Sequence, residues 1–309
     1  MTNPFIRQVY VEIFSLPEWQ MSGGGAGESS VKLFGDGSDK QLRIKFTLHK
    51  QEPDAAIPSS IQIYNLSKEL RGVLSKVSGA KVRVSAGWAN TPVVEVFTGS
   101  MLYATHQREG ADIVTTLFVL SNWGSHQVFC SITFAPGTLI SDIVKSLLSN
   151  KAGTSGLPGV TIDTKNITIS DEYVLGNQGY TAIGSVAKVL TELARIYRFT
   201  WWINQNVFYA SDDLAGPLLG GEVTISSKNG NLLRAEPMLA LAPDRSTATG
   251  ITITSLFEPR LQPGFAVKLE SELNSQLNRS YIILNLTHVC DTHSDAWISQ
   301  VEALMYGVV

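Results

Sequence analysis

The sequence predicts a mainly β chain with an α+β insert: two similar antiparallel β-barrels, over residues 1–125 and 216–309, flanking a small α+β domain over residues 126–215. Three observations lead there. Strict alternation of apolar and polar residues fills both ends of the chain. The period lengthens to that of helices only in the middle. A Thr-His pair just ahead of a hairpin turn is found in each β-rich end, as Thr105-His106 and Thr287-His288. At roughly 150 residues per domain, a chain of 309 residues accommodates two or three domains.

In chain order, Val11/Ile13 and Val31/Leu33 open the first set of strands. The clearest follows: Leu42, Ile44, Phe46 and Leu48 are apolar while Arg43, Lys45, Thr47 and His49 are not, which gives a strand one buried and one wet face. Ile61/Ile63 and Val82/Val84/Ala86/Trp88 continue the pattern. Further strands are expected at 93–97, 102–106 and 112–120, the last two joined through Arg108-Glu109-Gly110, where glycine supplies the positive φ of a tight turn. One short helix interrupts them, with Ser67 as N-cap ahead of Leu70, Val73 and Leu74.

In the middle segment Thr138 is the expected N-cap of a helix that places Ile140, Ile143, Val144, Leu147 and Leu148 on one face. Thr181 is the expected cap of a second, carrying Ile183, Val186, Ala187, Leu190, Leu193, Ala194 and Tyr197. Short strands are expected at 160–162 and 167–169, and a hairpin at 199–203 and 207–210 turning on Asn204-Gln205-Asn206. Alternation then resumes at Val223/Ile225, Ile251/Ile253, Phe265/Val267/Leu269, Ile282/Leu284/Leu286 and 297–303. Residues 101–106 and 285–288 each lead through a turn into an Asp-bearing strand, with Gly87 and Gly264 upstream, and so read as a duplication.

Composition limits the function. The chain has 24 basic and 27 acidic residues, 17% charged against roughly 25% for an average domain. A surface so poor in charge implies large covered faces. Residues 1–215 hold 18 basic and 18 acidic groups and residues 216–309 hold 6 and 9. No basic run exists, which argues against nucleic-acid binding by phosphate neutralisation. No apolar run reaches the ~18 residues of a membrane helix, and residues 1–5 show no signal-peptide pattern. Cys130 and Cys290 are expected as reduced thiols.

Candidate chemistry is sparse. Among His49, His106, His126, His288 and His293, the only grouping that suggests a metal is His288/Cys290/His293, across a hairpin turn that also reads as an ordinary solvated turn. Gly23-Gly24-Gly25-Ala26-Gly27 lacks the Lys-Ser/Thr and the helix of a phosphate loop. Glu270/Glu272 and Asp212/Asp213 are not drawn to one cleft, and no Gly-x-Ser-x-Gly elbow is present. Trp201 and Trp202, adjacent on a strand, point to opposite faces and make a poor sugar platform. Four Asn-x-Ser/Thr sequons (Asn65, Asn166, Asn278, Asn285) match the background of a chain rich in these residues. The chain reads as a non-enzyme without cofactor or metal.

Ile61-Gln62-Ile63-Tyr64-Asn65-Leu66-Ser67 runs into the short helix, then Val82-Arg83-Val84-Ser85-Ala86-Gly87-Trp88, Val96-Phe97-Thr98-Gly99 and the Arg108–Asp112 hairpin. In this order the segments resemble the N-terminal barrel of phage tail baseplate hub proteins of the Mu-like and related contractile-tail families. The stretch from Thr252 to Gly264, with Glu258-Pro259-Arg260-Leu261, is similar to the entry of their second barrel. The resemblance implies a homotrimer whose six tube-like barrels join a hexameric tail tube protein to a trimeric central spike protein. It also implies a channel through which DNA passes without specific binding. A baseplate wedge or tape-measure protein is a further implied partner, and no membrane insertion is implied. The implied location is the virion tail baseplate, assembled in the host cytoplasm. Asn65, Leu66, Ser67, Pro259, Arg260, Leu261 and Gly264 are the expected assembly corners, at equivalent places in the two barrels. The alternative is the hub of a siphophage tail or a pyocin-type injection particle. Outside the resemblance stand a cell-wall hydrolase using Glu/Asp pairs and a host-binding module using Trp201/Trp202.

Overall fold

The computed structural model describes residues 6–14, 16, 30–50, 57–89, 91–121, 128–149, 161–204, 207–212, 222–241 and 247–305. The expected domain limits near 125 and 215 lie outside the described residues, as do the glycine loop at 23–27, His126, Asp213 and turn residues 205 and 206.

The first part contains β1 (Arg7–Ile13), β2 (Val31–Gly35), β3 (Ile44–Lys50), β4 (Ser59–Tyr64), α1 (Lys68–Leu74), β5 (Lys81–Trp88), β6 (Val94–Glu109) and β7 (Asp112–Leu120). The two strands expected at 93–97 and 102–106 are one long strand, β6, bent by a bulge between Met101 and Tyr103. Alternating residues of these strands (Val9, Val11, Ile44, Phe46, Leu48, Ile61, Ile63, Val82, Val84) are fully buried in one core with Leu70, Val73 and Leu74 of α1. Each such side chain contributes about 1.5–3 kcal/mol when taken out of water. Ser67 caps α1 as expected, its Oγ accepting from the Leu70 N–H at 3.2 Å.

The insert contains β8 (Phe129–Phe134), α2 (Ile140–Leu148), β9 (Thr161–Thr168), β10 (Tyr180–Ser185), α3 (Val186–Tyr197), β11 (Thr200–Asn204) and β12 (Val207–Ser211). Its core is a separate cluster around the two helices. Both expected caps are displaced. Leu139 is the N-cap of α2 without a side-chain bond, and the Thr138 hydroxyl donates to the Ala135 carbonyl instead. Thr181 lies in β10, paired with β8, and Ser185 caps α3 by accepting from the Lys188 N–H. Ile183, expected on the helix face, is therefore on the outer side of a strand and 68% exposed. The two short strands expected at 160–169 are one strand, β9, parallel to β12.

The last part contains β13 (Val223–Ser226), β14 (Leu232–Leu241), β15 (Thr247–Leu256), β16 (Ala266–Glu270), β17 (Ser280–Asp291) and β18 (Trp297–Met305), around a third core. Thirteen strands of the first and last parts form a single sheet, mainly antiparallel, with the path β14-β15-β18-β17-β3-β4-β7-β6-β5-β1-β2. β16 joins it beside β17, and β13 pairs with β16 in parallel.

Two closed barrels are not observed: among the described residues no sheet closes on itself. The reason is a competition for one edge. Closure of the first part would need β2 against β3, and the two approach where the Leu42 N–H donates to the Phe34 carbonyl. From Lys45 to Lys50, however, that edge of β3 is taken by β17.

Candidate assembly site

The strands of the two parts repeat in order. In the first part β3 to β7 lie in space as β3-β4-β7-β6-β5; in the last, β14 to β18 lie as β14-β15-β18-β17-β16. All four neighbouring pairs are antiparallel in both.

The correspondence extends to single residues. The bulge between Met101 and Tyr103 in β6 matches one between Ile283 and Asn285 in β17. Beyond it, His106 Nδ1 bonds the Thr115 hydroxyl at 3.0 Å, and His288 Nδ1 bonds the Ser299 hydroxyl at 2.9 Å, each across the hairpin. The strand corners match as well: the Asn65 N–H donates to the Ile113 carbonyl at 2.8 Å, and the Phe257 N–H to the Trp297 carbonyl at 2.9 Å. Gly79 and Gly264 both have φ +81 and donate to the residue before the bulge, Met101 and Ile283. Gly79, not Gly87, is thus the counterpart of Gly264.

The corner residues divide into two kinds. Asn65 has left-handed φ 59, and its amide donates to Asp112 at 2.8 Å while its carbonyl oxygen accepts from the Ile113 N–H. Asn65 and Ser67 are exposed, whereas Leu66 is a core side chain. In the other corner Arg260 is exposed and forks onto Glu258 with two contacts of 2.8 Å, Pro259 is half-buried, and Leu261 is fully buried. Gly264 touches the insert: a Cβ there would meet Trp202 Cζ2 at 2.8 Å. No Cβ contact would arise at Gly79.

A dense seam joins the two parts. β17 pairs with β3 from Leu286↔Lys50 to Asp291↔Lys45. Arg43 donates to Asp291 through Nη2 at 2.7 Å and Nε at 3.2 Å, and Arg7 donates to the Asp291 and Ser294 carbonyls with its guanidinium 5.5 Å from the Trp297 ring centre. Burial alone would raise the Asp291 pKa; hydrogen bonds from Arg43 and the His293 N–H outweigh it and hold the carboxyl below its usual range. Lys50 Nζ donates to Gln262 at 2.9 Å, and burial brings its pKa down to about 7, with Glu95 offsetting only part. His288 is kept neutral by burial and then by the nearby Lys50 charge.

Residues considered for chemistry stay apart. His288 and Cys290 are buried, His293 is exposed on the hairpin, and no metal-type cluster occurs among the described residues. Both thiols are buried and unpaired. Glu270 pairs with Lys268 at 3.0 Å, and Asp212 accepts from the Ser170 N–H. Trp201 stacks on Phe208 inside the insert, while Trp202 stacks on Tyr209 on the opposite face, so the two indoles form no joint platform.

A family model described as baseplate hub gp41 matches residues 30–303. The chain belongs to the baseplate hub gp41 family. No curated protein matches it by sequence. Solved structures share its fold at low identity. A tail protein from Neisseria meningitidis is 12% identical with a TM-score of 0.60, covering 98% of each chain. The 43 kDa tail protein of prophage MuSo2 from Shewanella oneidensis is 10% identical with a TM-score of 0.57, covering 97% of this chain and 98% of its own. An Escherichia coli component of the type VI secretion system is 11% identical with a TM-score of 0.55, covering 86% of this chain and 74% of its own. Family and fold together support a structural role for this hub in a tail baseplate.

Proposed function

We propose that three copies of this chain form a ring that joins a hexameric tail tube to a trimeric central spike and encloses part of the DNA channel, assembled in the host cytoplasm. The observation that carries this reading is the repeated five-strand unit. A threefold ring meets a sixfold partner at six like positions only if each chain offers two like surfaces. The matched corners at Asn65–Ser67 and Phe257–Gly264 supply such a pair. The strand pairing between the units sets their spacing within a chain.

The shared sheet face that turns away from the cores is rich in hydroxyl and amide groups (Thr105, Thr116, Thr254, Thr287, Gln300). It carries a shallow groove of about 250 Å³ in which Arg234 is outweighed by Glu236 and Glu302. Such a groove repels phosphate, as a conduit for DNA requires, and on the same face Arg43 is paired with Asp291 while Lys45 lies opposite that carboxylate. Mass measurement of the purified protein tests the reading. A species of about 100 kDa, three times the 33.6 kDa chain, is expected. A monomer at all concentrations, and with tube and spike proteins present, refutes it.

A further inference from the structure

The internal seam has a counterpart that no single chain can complete. Within the chain, β17 of the second unit pairs with β3 of the first. By the correspondence of units, β6 stands where β17 does and β14 where β3 does. Both equivalent edges are open among the described residues. β14 pairs with β15 alone. β6 has β7 on one side, but β5 accompanies its other side only as far as Ser100, leaving 104–109 without a strand there. α1 lies beside that edge through Ser75 and His106.

We propose that β14 of one copy pairs antiparallel with residues 104–109 of β6 in the next, in the register copied from the internal seam. Phe46 lies opposite Ile61 as Ala235 lies opposite Ile253, and Ile61 and Ile253 lie opposite the matched Leu117 and Val301. Transferring Asp291↔Lys45 and Val289↔Thr47 then gives Glu109 opposite Arg234 of the next copy, and Gln107 opposite Glu236. Charge supports the register. The internal seam sets an acid against a base at Asp291↔Lys45, and the transferred pair Glu109↔Arg234 does the same. Both residues are solvent-accessible in the single chain, Arg234 with 69% of its side chain exposed.

The proposal rests on the trimer reading and adds its contact. Eight strands per chain, β14-β15-β18-β17-β3-β4-β7-β6, then close into a ring of twenty-four in three copies. Barrels of about 16–18 strands already hold an aqueous channel. Pro237 falls opposite His106 and removes one donor from the ladder, which keeps the β14 edge from pairing indiscriminately before assembly.

Cysteine cross-linking of the full chain tests the register. In the internal seam the His49 N–H points to the Ser59 hydroxyl on β4, so Thr47 and His49 face β17 as non-hydrogen-bonded, closely spaced positions. The transferred pair Gln107/Glu236 is of that kind and suits a disulfide. Under mild oxidation Gln107→Cys/Glu236→Cys is expected to give covalently linked trimers, and each single variant none. Gln107→Cys/Arg234→Cys, two residues out of register, should link at least tenfold less. A trimer by mass in which the register pair fails to link, or the offset pair links better, overturns the pairing while the trimer stands. A monomer at all concentrations, and with tube and spike proteins present, overturns both. Charge exchange gives a second readout free of cysteine: Glu109→Arg and Arg234→Glu should each weaken association, and together restore it.

Discussion

Gly79 and Gly264 allow the docking of the insert to be measured by difference. Both have φ +81, so alanine at either meets the left-handed penalty of about 1–2 kcal/mol. At Gly79 the new methyl enters open space, and that penalty is the whole cost. At Gly264 it would stand 2.8, 3.0 and 3.1 Å from Cζ2, Cε2 and Nε1 of Trp202, closer than carbon atoms pack. Relief requires the indole to leave its stack on Tyr209, an overpacking cost of about 1–3 kcal/mol. Gly264→Ala should therefore lower stability by about 2–5 kcal/mol, and Gly79→Ala by about 1–2. Urea titrations followed by far-ultraviolet circular dichroism measure both. Repeating them with Trp202→Ala should bring the two costs together. Equal costs in the natural background, or a difference that survives removal of the indole, would refute the reasoning.

Two further perturbations act on the seam. The Lys50 pKa is about 7 in the folded chain against 10.5 for the free side chain, so between these values the unfolded chain binds more protons and stability rises with pH. Lys50→Met removes this dependence, so the stability of the variant relative to the natural chain should be highest at about pH 6 and fall toward about pH 10, as denaturant midpoints at several pH values will show. Asp291 shifts the other way: its folded pKa lies below the unfolded one, so its stabilisation is present above the unfolded value and lost as pH falls through the folded one. Asp291→Asn should cost about 1.5–3 kcal/mol at neutral pH and nothing in acid, measured by the same titrations.

Strands with one wet face were legible because alternation is a local property: β3, β4 and β5 follow from their own residues. β14 was not, since Pro237 interrupts it and Leu232-Leu233 and Leu239-Ala240-Leu241 break the alternation. The start of α3 was misplaced because Thr181 and Ser185 are both hydroxyl residues ahead of an apolar stretch. Pairing of 180–185 with β8, 46 or more residues earlier, decides between them. Closure was unreadable for the same reason, as it depends on which distant strand reaches the β3 edge. The Thr-His string locates the repeat, yet the sequence alone offers Gly87 as its glycine, because the match to Gly79 becomes visible only through the bulge and its hydrogen bond. Leu66 and Leu261 lie beside the strand corners with their side chains buried, and no local signal in the sequence shows that they point inward.

The seam also sets a clock on synthesis. Arg43 and Asp291 are 248 residues apart, and the first core is completed by Phe257, Cys290 and Trp297. At about 5–20 residues per second the ribosome needs roughly 12–50 s to deliver β17 after β3 has emerged. Through that interval the nascent first unit has an unpaired strand edge and an unfinished interior, both routes to aggregation. The insert, with its own helices and core, can fold meanwhile. Protection of the β3 edge in the cell therefore falls to a chaperone or to fast elongation, and slowing translation downstream of the insert should lower the soluble yield.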